Sequence, residues 1–240
     1  MRRLDGTPEL LDGPLQAPVL AGNLRDLARV NRWLGGTSLS WRAISPLLGS
    51  TDEGRPLRVI DVGTGSADIP RCLLGRAASR GLALDVVATD VRAEIVELAR
   101  AAGSVPGLTI EQASADRIDA REGAYDVSHA SMVVHHLDPP EAIRTLTEMG
   151  RVARQAVIIN DLDRTWLWWS GAWLLSHLLT GNPYTRHDAP LSVRRGYRSD
   201  ELVGLARRAG LRPVASYRTR PGYRYALVFV HALGQARGDV

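Results

Sequence analysis

Val59-Ile60-Asp61-Val62-Gly63-Thr64-Gly65-Ser66-Ala67-Asp68 is the stretch that decides how this chain folds. An apolar run meets an acid, then a Gly-x-Gly turn, then the start of a helical pattern. A parallel α/β sheet uses that order to aim backbone N–H groups at a nucleotide-like ligand. Leu57 to Val62 reads as the strand. Gly63 and Gly65 permit a tight turn and close backbone approach. A dinucleotide fingerprint has a third Gly, and position 68 holds Asp instead. The stretch points to a nucleoside cofactor without choosing one.

The same rhythm continues on the C-terminal side. Asp68 is placed to cap a helix with Pro70 in its first turn. Leu84 to Thr89 reads as a second strand with Asp90 at its end, followed by a helix from Ala93 to Ala102. Leu108 to Gln112 and Tyr125 to Met132 read as strands three and four. Asp138-Pro139-Pro140-Glu141 is a helix start, with Asp as cap, Pro at the first position and Glu three after the cap. Ala156 to Ile159 is apolar throughout, as a central parallel strand should be. Leu162 to Tyr197 breaks the alternation with a Trp-rich helix and then a polar loop, Gly181 to Gly196. A helix from Ser199 to Ala209 follows. Val214 to Arg218 and Tyr225 to His231 then form a closing antiparallel pair.

On the N-terminal side, residues 1–22 are rich in Pro and Gly and read as mobile. An amphipathic helix begins at Asn23 and stops at Gly35-Gly36. A second covers Leu39 to Leu48, and Gly49 to Pro56 is a linker. The expected fold is a doubly wound, Rossmann-like α/β sheet of seven mostly parallel strands, with one antiparallel strand. It forms one domain over 1–240: a helical cap (1–56), a cofactor-binding core (57–160), a lid insertion (161–197), and a terminal helix and hairpin (198–240).

Composition narrows the chemistry. The chain has 240 residues, 45% of them hydrophobic, which suits one domain with a sizeable core. All 30 basic residues are Arg. Without Lys there is no Schiff base, no pyridoxal phosphate attachment, no P-loop lysine and no Tyr/Lys pair of short-chain reductases. The net charge of +4 comes from scattered Args, so no nucleic acid is expected. The single Cys, Cys72, excludes an internal disulfide and fits a reducing, cytoplasmic setting. The N-terminus carries no apolar signal region. No His, Cys, Asp and Glu recur at zinc-site spacing, so no metal is expected.

The chain resembles the class I S-adenosylmethionine-dependent methyltransferases. The resemblance covers Leu57 to the C-terminus. It rests on Asp61-Val62-Gly63-Thr64-Gly65, Asp90, Tyr125-Asp126-Val127, His135-His136-Leu137 and the closing hairpin. It implies S-adenosylmethionine as cofactor and S-adenosylhomocysteine as product. Asp61, Gly63, Thr64 and Gly65 would hold the methionyl part and Asp90 the ribose, with Val91 and Ala130 beside them. The family's Asp-Ala pair at the adenine falls on Ser114-Ala115. Either Ser114 or a shifted Asp116 takes that contact. Asn31-Arg32-Trp33-Leu34-Gly35-Gly36, Asn160-Asp161-Leu162 and His187-Asp188 with Ser192-Val193-Arg194-Arg195 look like a bacterial subgroup acting on phenolic, quinone or polyketide natural products.

The expected reaction is O-methylation of a hydrophobic aromatic small molecule by in-line displacement. A nearby base would help a phenol lose its proton. His187 is the first choice for that base, with His135 and His136 behind it. Trp166, Trp169 and Trp173 share one helix face and, with Asp188 and Arg194, are the expected substrate contacts. The Trp-rich helix reads as a lid, with a homodimer contact or peripheral membrane-surface docking as the other readings. C-methylation of an activated ring is the near alternative and a nicotinamide-dependent reductase the distant one.

Overall fold

The computed structural model describes residues 1–13, 17–49 and 55–232. Its elements are α1 (Ala17–Trp33), α2 (Gly36–Ile44), β1 (Leu57–Val62), α3 (Asp68–Ala78), β2 (Leu84–Asp90), α4 (Ala93–Ala101), β3 (Leu108–Gln112) and β4 (Tyr125–Ser131). There follow α5 (Pro139–Val152), β5 (Ala153–Leu162), α6 (Trp166–Leu179), α7 (Pro183–Arg195), α8 (Ser199–Arg208), β6 (Leu211–Arg218) and β7 (Arg224–His231). The seven strands lie in the order β3-β2-β1-β4-β5-β7-β6. β7 is antiparallel to both its neighbours, and the other pairings are parallel. The expected sheet is the one observed.

Strands buried on both faces feed two cores. On one face Ile60, Val62, Val157 and Leu227 pack with Leu146 and Met149 of α5 and Leu202 of α8. On the other, Val59, Val127 and Ile158 pack with Leu39 and Ile44 of α2 and Leu73 of α3. The chain runs outward from β1 to β3, then returns to place β4 on the other side of β1. That reversal opens a crevice beyond the carboxyl ends of β1 and β4, where α/β sheets bind ligands.

Four local expectations are corrected. Residues 1–13 do not hang free. Leu4 N–H donates to the Arg194 carbonyl at 3.1 Å, a short 3₁₀ turn spans Leu10–Asp12, and Glu9 is buried. The anchor is polar, so a hydrophobic pattern could not reveal it. α1 starts at Ala17, six residues before Asn23. The polar loop over 181–196 is a helix, α7. Asn182 caps it by accepting from Tyr184 N–H and Thr185 N–H, and Pro183 takes the first position. Its buried residues include Asp188, Ser192 and Arg195, whose partners are polar, so its apolar stripe is weak. Asp68 does not cap α3: the cap is Ala67, in the left-handed region at φ 55°. Most of the expected linker, residues 50–54, lies outside the described residues, as do 233–240 at the C-terminus.

Asp126 ties the sheet's amino edge. It is buried and accepts from Arg55 at 2.7 and 2.8 Å, from Arg58 N–H at 2.9 Å and from Arg154 at 2.5 Å. Burial opposes its charge, yet Arg55, the Arg58 N–H and Arg154 outweigh it and hold its pKa at about 2. A lowered folded-state pKa gives stability that is present above the ordinary value of 3.8 and lost as pH falls towards about 2. Asp126→Asn is expected to lower Tm at pH 7 and to converge on the parent chain near pH 2. Thermal melts across that range check this; a gap independent of pH would contradict it.

Candidate functional site

A cavity of about 1570 Å³ lies over the carboxyl ends of the strands, walled by α1, α6 and α7. Ordinary small-molecule pockets run to roughly 300–1,000 Å³, so this one has room for two ligands side by side.

One end is the glycine turn. Gly63 and Gly65 have φ of 65° and 57°, a region that favours glycine. A Cβ on Gly63 would come within 2.5 Å of the Val133 side chain. The turn is pinned by Thr64 N–H to the Thr89 carbonyl at 2.8 Å. The Thr64 hydroxyl is buried with no hydrogen-bond partner among the described residues, a polar group waiting for a ligand. Asp90 accepts from Gly65 N–H and Arg92 N–H, both at 3.1 Å. Burial raises its pKa despite those backbone bonds, so further hydrogen-bond donors would stabilise its charge. Val91, Ser114, Ala115 and Asp116 line the same end. Ser114 Oγ donates to Asp116 at 2.6 Å, so the two residues that sequence offers as alternatives stand together.

Asp61 and Ala130 do not line the cavity. Asp61 sits opposite His129 in the β1–β4 register, and its carboxylate is 2.5 Å from His129 Nδ1. Strand alternation aims it into the sheet face under α2 instead of the crevice. It starts a buried polar relay: His129 to Ser40 at 2.8 Å, Ser40 to Asn160 at 2.8 Å, and Asn160 to Arg224 at 2.6 Å. Arg224 also donates to Asn31 at 2.8 Å and Ser131 at 2.5 Å, and Asn31 donates to Asp68 at 3.0 Å. Asn31, Asp68 and Ser131 are on the cavity wall. The relay carries order from the sheet interior to the site. Sequence reasoning missed it because its members lie on seven elements.

At the other end Glu9, His135 and His136 meet. His135 Nδ1 lies 2.6 Å from Asp161, and His136 Nδ1 lies 2.9 Å from Asp12. Ser192 donates to Glu9 at 2.8 Å. Arg195, buried below them, donates to the His135 and His136 carbonyls and to Asp12 at 3.3 Å. Burial opposes charge on His136, but Glu9 and Asp12 overcome it and raise its pKa to about 9. No spacing rule links Glu9 to His135; only the docked N-terminal segment brings them together.

The other predicted contacts divide. Asp188 lines the cavity but is spent on the N-terminal segment, accepting from Leu10 N–H at 2.8 Å and Leu11 N–H at 3.0 Å. His187 is half exposed, pairs with Asp188 at 2.7 Å, and does not line the cavity. Arg194 is exposed and also faces away. Trp166, Trp169 and Trp173 do share a face, but it is the outer one. The cavity stripe is Trp168, Ala172, Leu175 and Leu179, the complementary 3.6-residue set. The outer face leaves Trp166, Leu167 and Leu178 more than half exposed. Among the described residues no helix is long and apolar enough to cross a membrane.

Residues 59–156, from β1 into β5, match the methyltransferase domain family. The match spans β1 to β4 and the start of β5, which frame the glycine-turn end of the cavity. A sequence search of curated proteins gives no match. Among solved structures, the fold is similar to that of a SAM-dependent methyltransferase from Aquifex aeolicus, with a TM-score of 0.62 at 17% identity over 90% of this chain and 98% of that one. It is also similar to that of magnesium protoporphyrin IX methyltransferase from Synechocystis PCC 6803, with a TM-score of 0.53 at 15% identity over 95% and 90% of the two chains. At these identities the likeness is one of fold.

Proposed function

We propose that this chain transfers the methyl group of S-adenosylmethionine to a hydroxyl of an apolar aromatic small molecule. The observation that carries this reading is the single cavity with two unlike ends. The glycine turn, Asp90 and the Ser114–Asp116 pair suit a nucleoside. The α1–α6–α7 end is apolar, with Glu9, His135 and His136 as a polar spot on its wall. The residues present fit the cofactor: the orphaned Thr64 hydroxyl and the under-stabilised Asp90 both await hydrogen-bond partners.

When bound, S-adenosylmethionine supplies an electrophilic methyl on a sulfonium. The protein's part is then to position and to dry the site. Asp90 accepts the two ribose hydroxyls. Ser114 and Asp116 together face the adenine. Trp168, Ala172, Leu175 and Leu179 exclude water and seat the acceptor's ring. The polar spot would hold the acceptor hydroxyl for in-line attack. His135, oriented by Asp161, takes its proton; His136, kept protonated by Glu9 and Asp12, steadies the developing phenolate. His187 has no part in this scheme, because its ring is outside the cavity.

The test is methyl uptake from labelled S-adenosylmethionine by a panel of lipophilic phenols, hydroquinones and polyketides. The expected result is an O-methyl ether. Methyl on a ring carbon would replace the hydroxyl reading, and no uptake by any member would sink it.

A further inference from the structure

Glu9, His135 and His136 bring potential ligand atoms close together on the cavity wall. Both imidazoles turn Nδ1 towards a carboxylate, Asp161 at 2.6 Å and Asp12 at 2.9 Å. That contact makes Nδ1–H the donor and leaves each Nε2 as the nitrogen that takes either a proton or a metal. Both Nε2 atoms point at Glu9, whose oxygens lie 3.7 and 3.8 Å away. These separations are too long for hydrogen bonds. Two imidazole nitrogens beside a buried carboxylate need positive charge between them, either protons or one metal ion.

We propose that Glu9, His135 and His136 bind a divalent first-row metal ion of the zinc class. Three things favour an ion over a bare proton network. All the ligand atoms lie within 4.8 Å of one another, and Glu9 and His135 are buried. Metal bonds of about 2.0–2.2 Å to nitrogen and oxygen put neighbouring ligand atoms roughly 3–3.5 Å apart, so the Glu9 separations of 3.7 and 3.8 Å need to close by only a few tenths of an ångström. Each histidine also has a carboxylate behind it, and Ser192 fixes Glu9 at 2.8 Å; such backing fixes the tautomer and the ring angle in metal sites.

Two imidazoles and one carboxylate suit zinc, cobalt or iron(II) more than magnesium or calcium. Three protein ligands also leave an open position, the pattern of a working site and not of a structural one. All three residues line the cavity, so that position faces the apolar chamber. With the ion bound, it and not His135 or His136 would meet the acceptor's oxygen and lower its pKa. This last step rests on the function proposed above; the site itself does not.

The experiment uses the full-length protein, stripped with a chelator and titrated with cobalt(II). One equivalent is expected to bind and to give visible d–d absorption that zinc then abolishes. Glu9→Gln and His136→Ala should each lose the absorption while still binding S-adenosylhomocysteine, which shows that they are folded. Asp161→Asn, altering a positioning residue, should weaken cobalt affinity by about 10- to 100-fold and keep the spectrum. No saturable binding, or binding unchanged in Glu9→Gln and His136→Ala, would overturn the proposal. Cobalt binding with no methyl uptake by any acceptor would leave the metal site standing and remove the catalytic reading.

Discussion

Asp90→Ala is expected to weaken S-adenosylhomocysteine binding on the order of 100-fold with little change in Tm. The carboxylate is buried at the end of β2, held by Gly65 N–H and Arg92 N–H, and its pKa is raised by burial. A carboxylate in that state gains most when two hydroxyls donate to it. Two charge-assisted hydrogen bonds of at least about 1.5 kcal/mol each account for the expected loss. Asp90→Asn should lose less, because the amide oxygen still accepts one bond. Calorimetry on both variants checks the ranking. An Asp90→Ala protein that binds like the parent would remove the ribose contact from the account.

Arg224→Met should be the most destabilising single change, by about 3–5 kcal/mol, because breaking a buried charged network strands its partners. Arg224 is fully buried and bridges Asn160 of β5, Ser131 of β4 and Asn31 of α1. Its loss leaves the buried Asn160 and Asn31 oxygens, and the half-buried Ser131 hydroxyl, without that donor. Space cannot close around it cheaply, since the guanidinium packs against Gly36, where an added Cβ would meet Nη1 at 2.5 Å. Arg224→Lys should rescue little, because one ammonium cannot reach three acceptors in a fixed fork. Denaturant midpoints measure the effect. A loss under about 1 kcal/mol, the size of an ordinary surface change, would contradict this role for the relay.

The sheet was legible because its signals are local. β1 and β3 begin and end where pattern alone places them, and Asp138-Pro139-Pro140-Glu141 opens α5 with both halves of its capping box. The glycine-turn end was legible in part: Gly63, Gly65 and Asp90 sit on one turn and one strand end and line the cavity, whereas Asp61 and Ala130 do not. The acceptor end was not. Its walls depend on which face of α6 turns inward, and a helix apolar on all sides does not say. Trp168 faces the cavity, and the three aligned tryptophans face out. Glu9, Asp12 and Asp161 gain meaning only when a polar N-terminal segment docks on α7 through backbone groups, which leave no mark in the side-chain pattern. His187 lost its place because its neighbour Asp188 turns inward and takes that contact.

The central claim is that the glycine-turn end of the cavity holds S-adenosylmethionine. Titration calorimetry of the full-length protein with S-adenosylhomocysteine, run beside NAD(H), tests it most directly. The account predicts saturable one-to-one binding of S-adenosylhomocysteine in the micromolar range and no heat from NAD(H). Binding of NAD(H) with none for S-adenosylhomocysteine would contradict it.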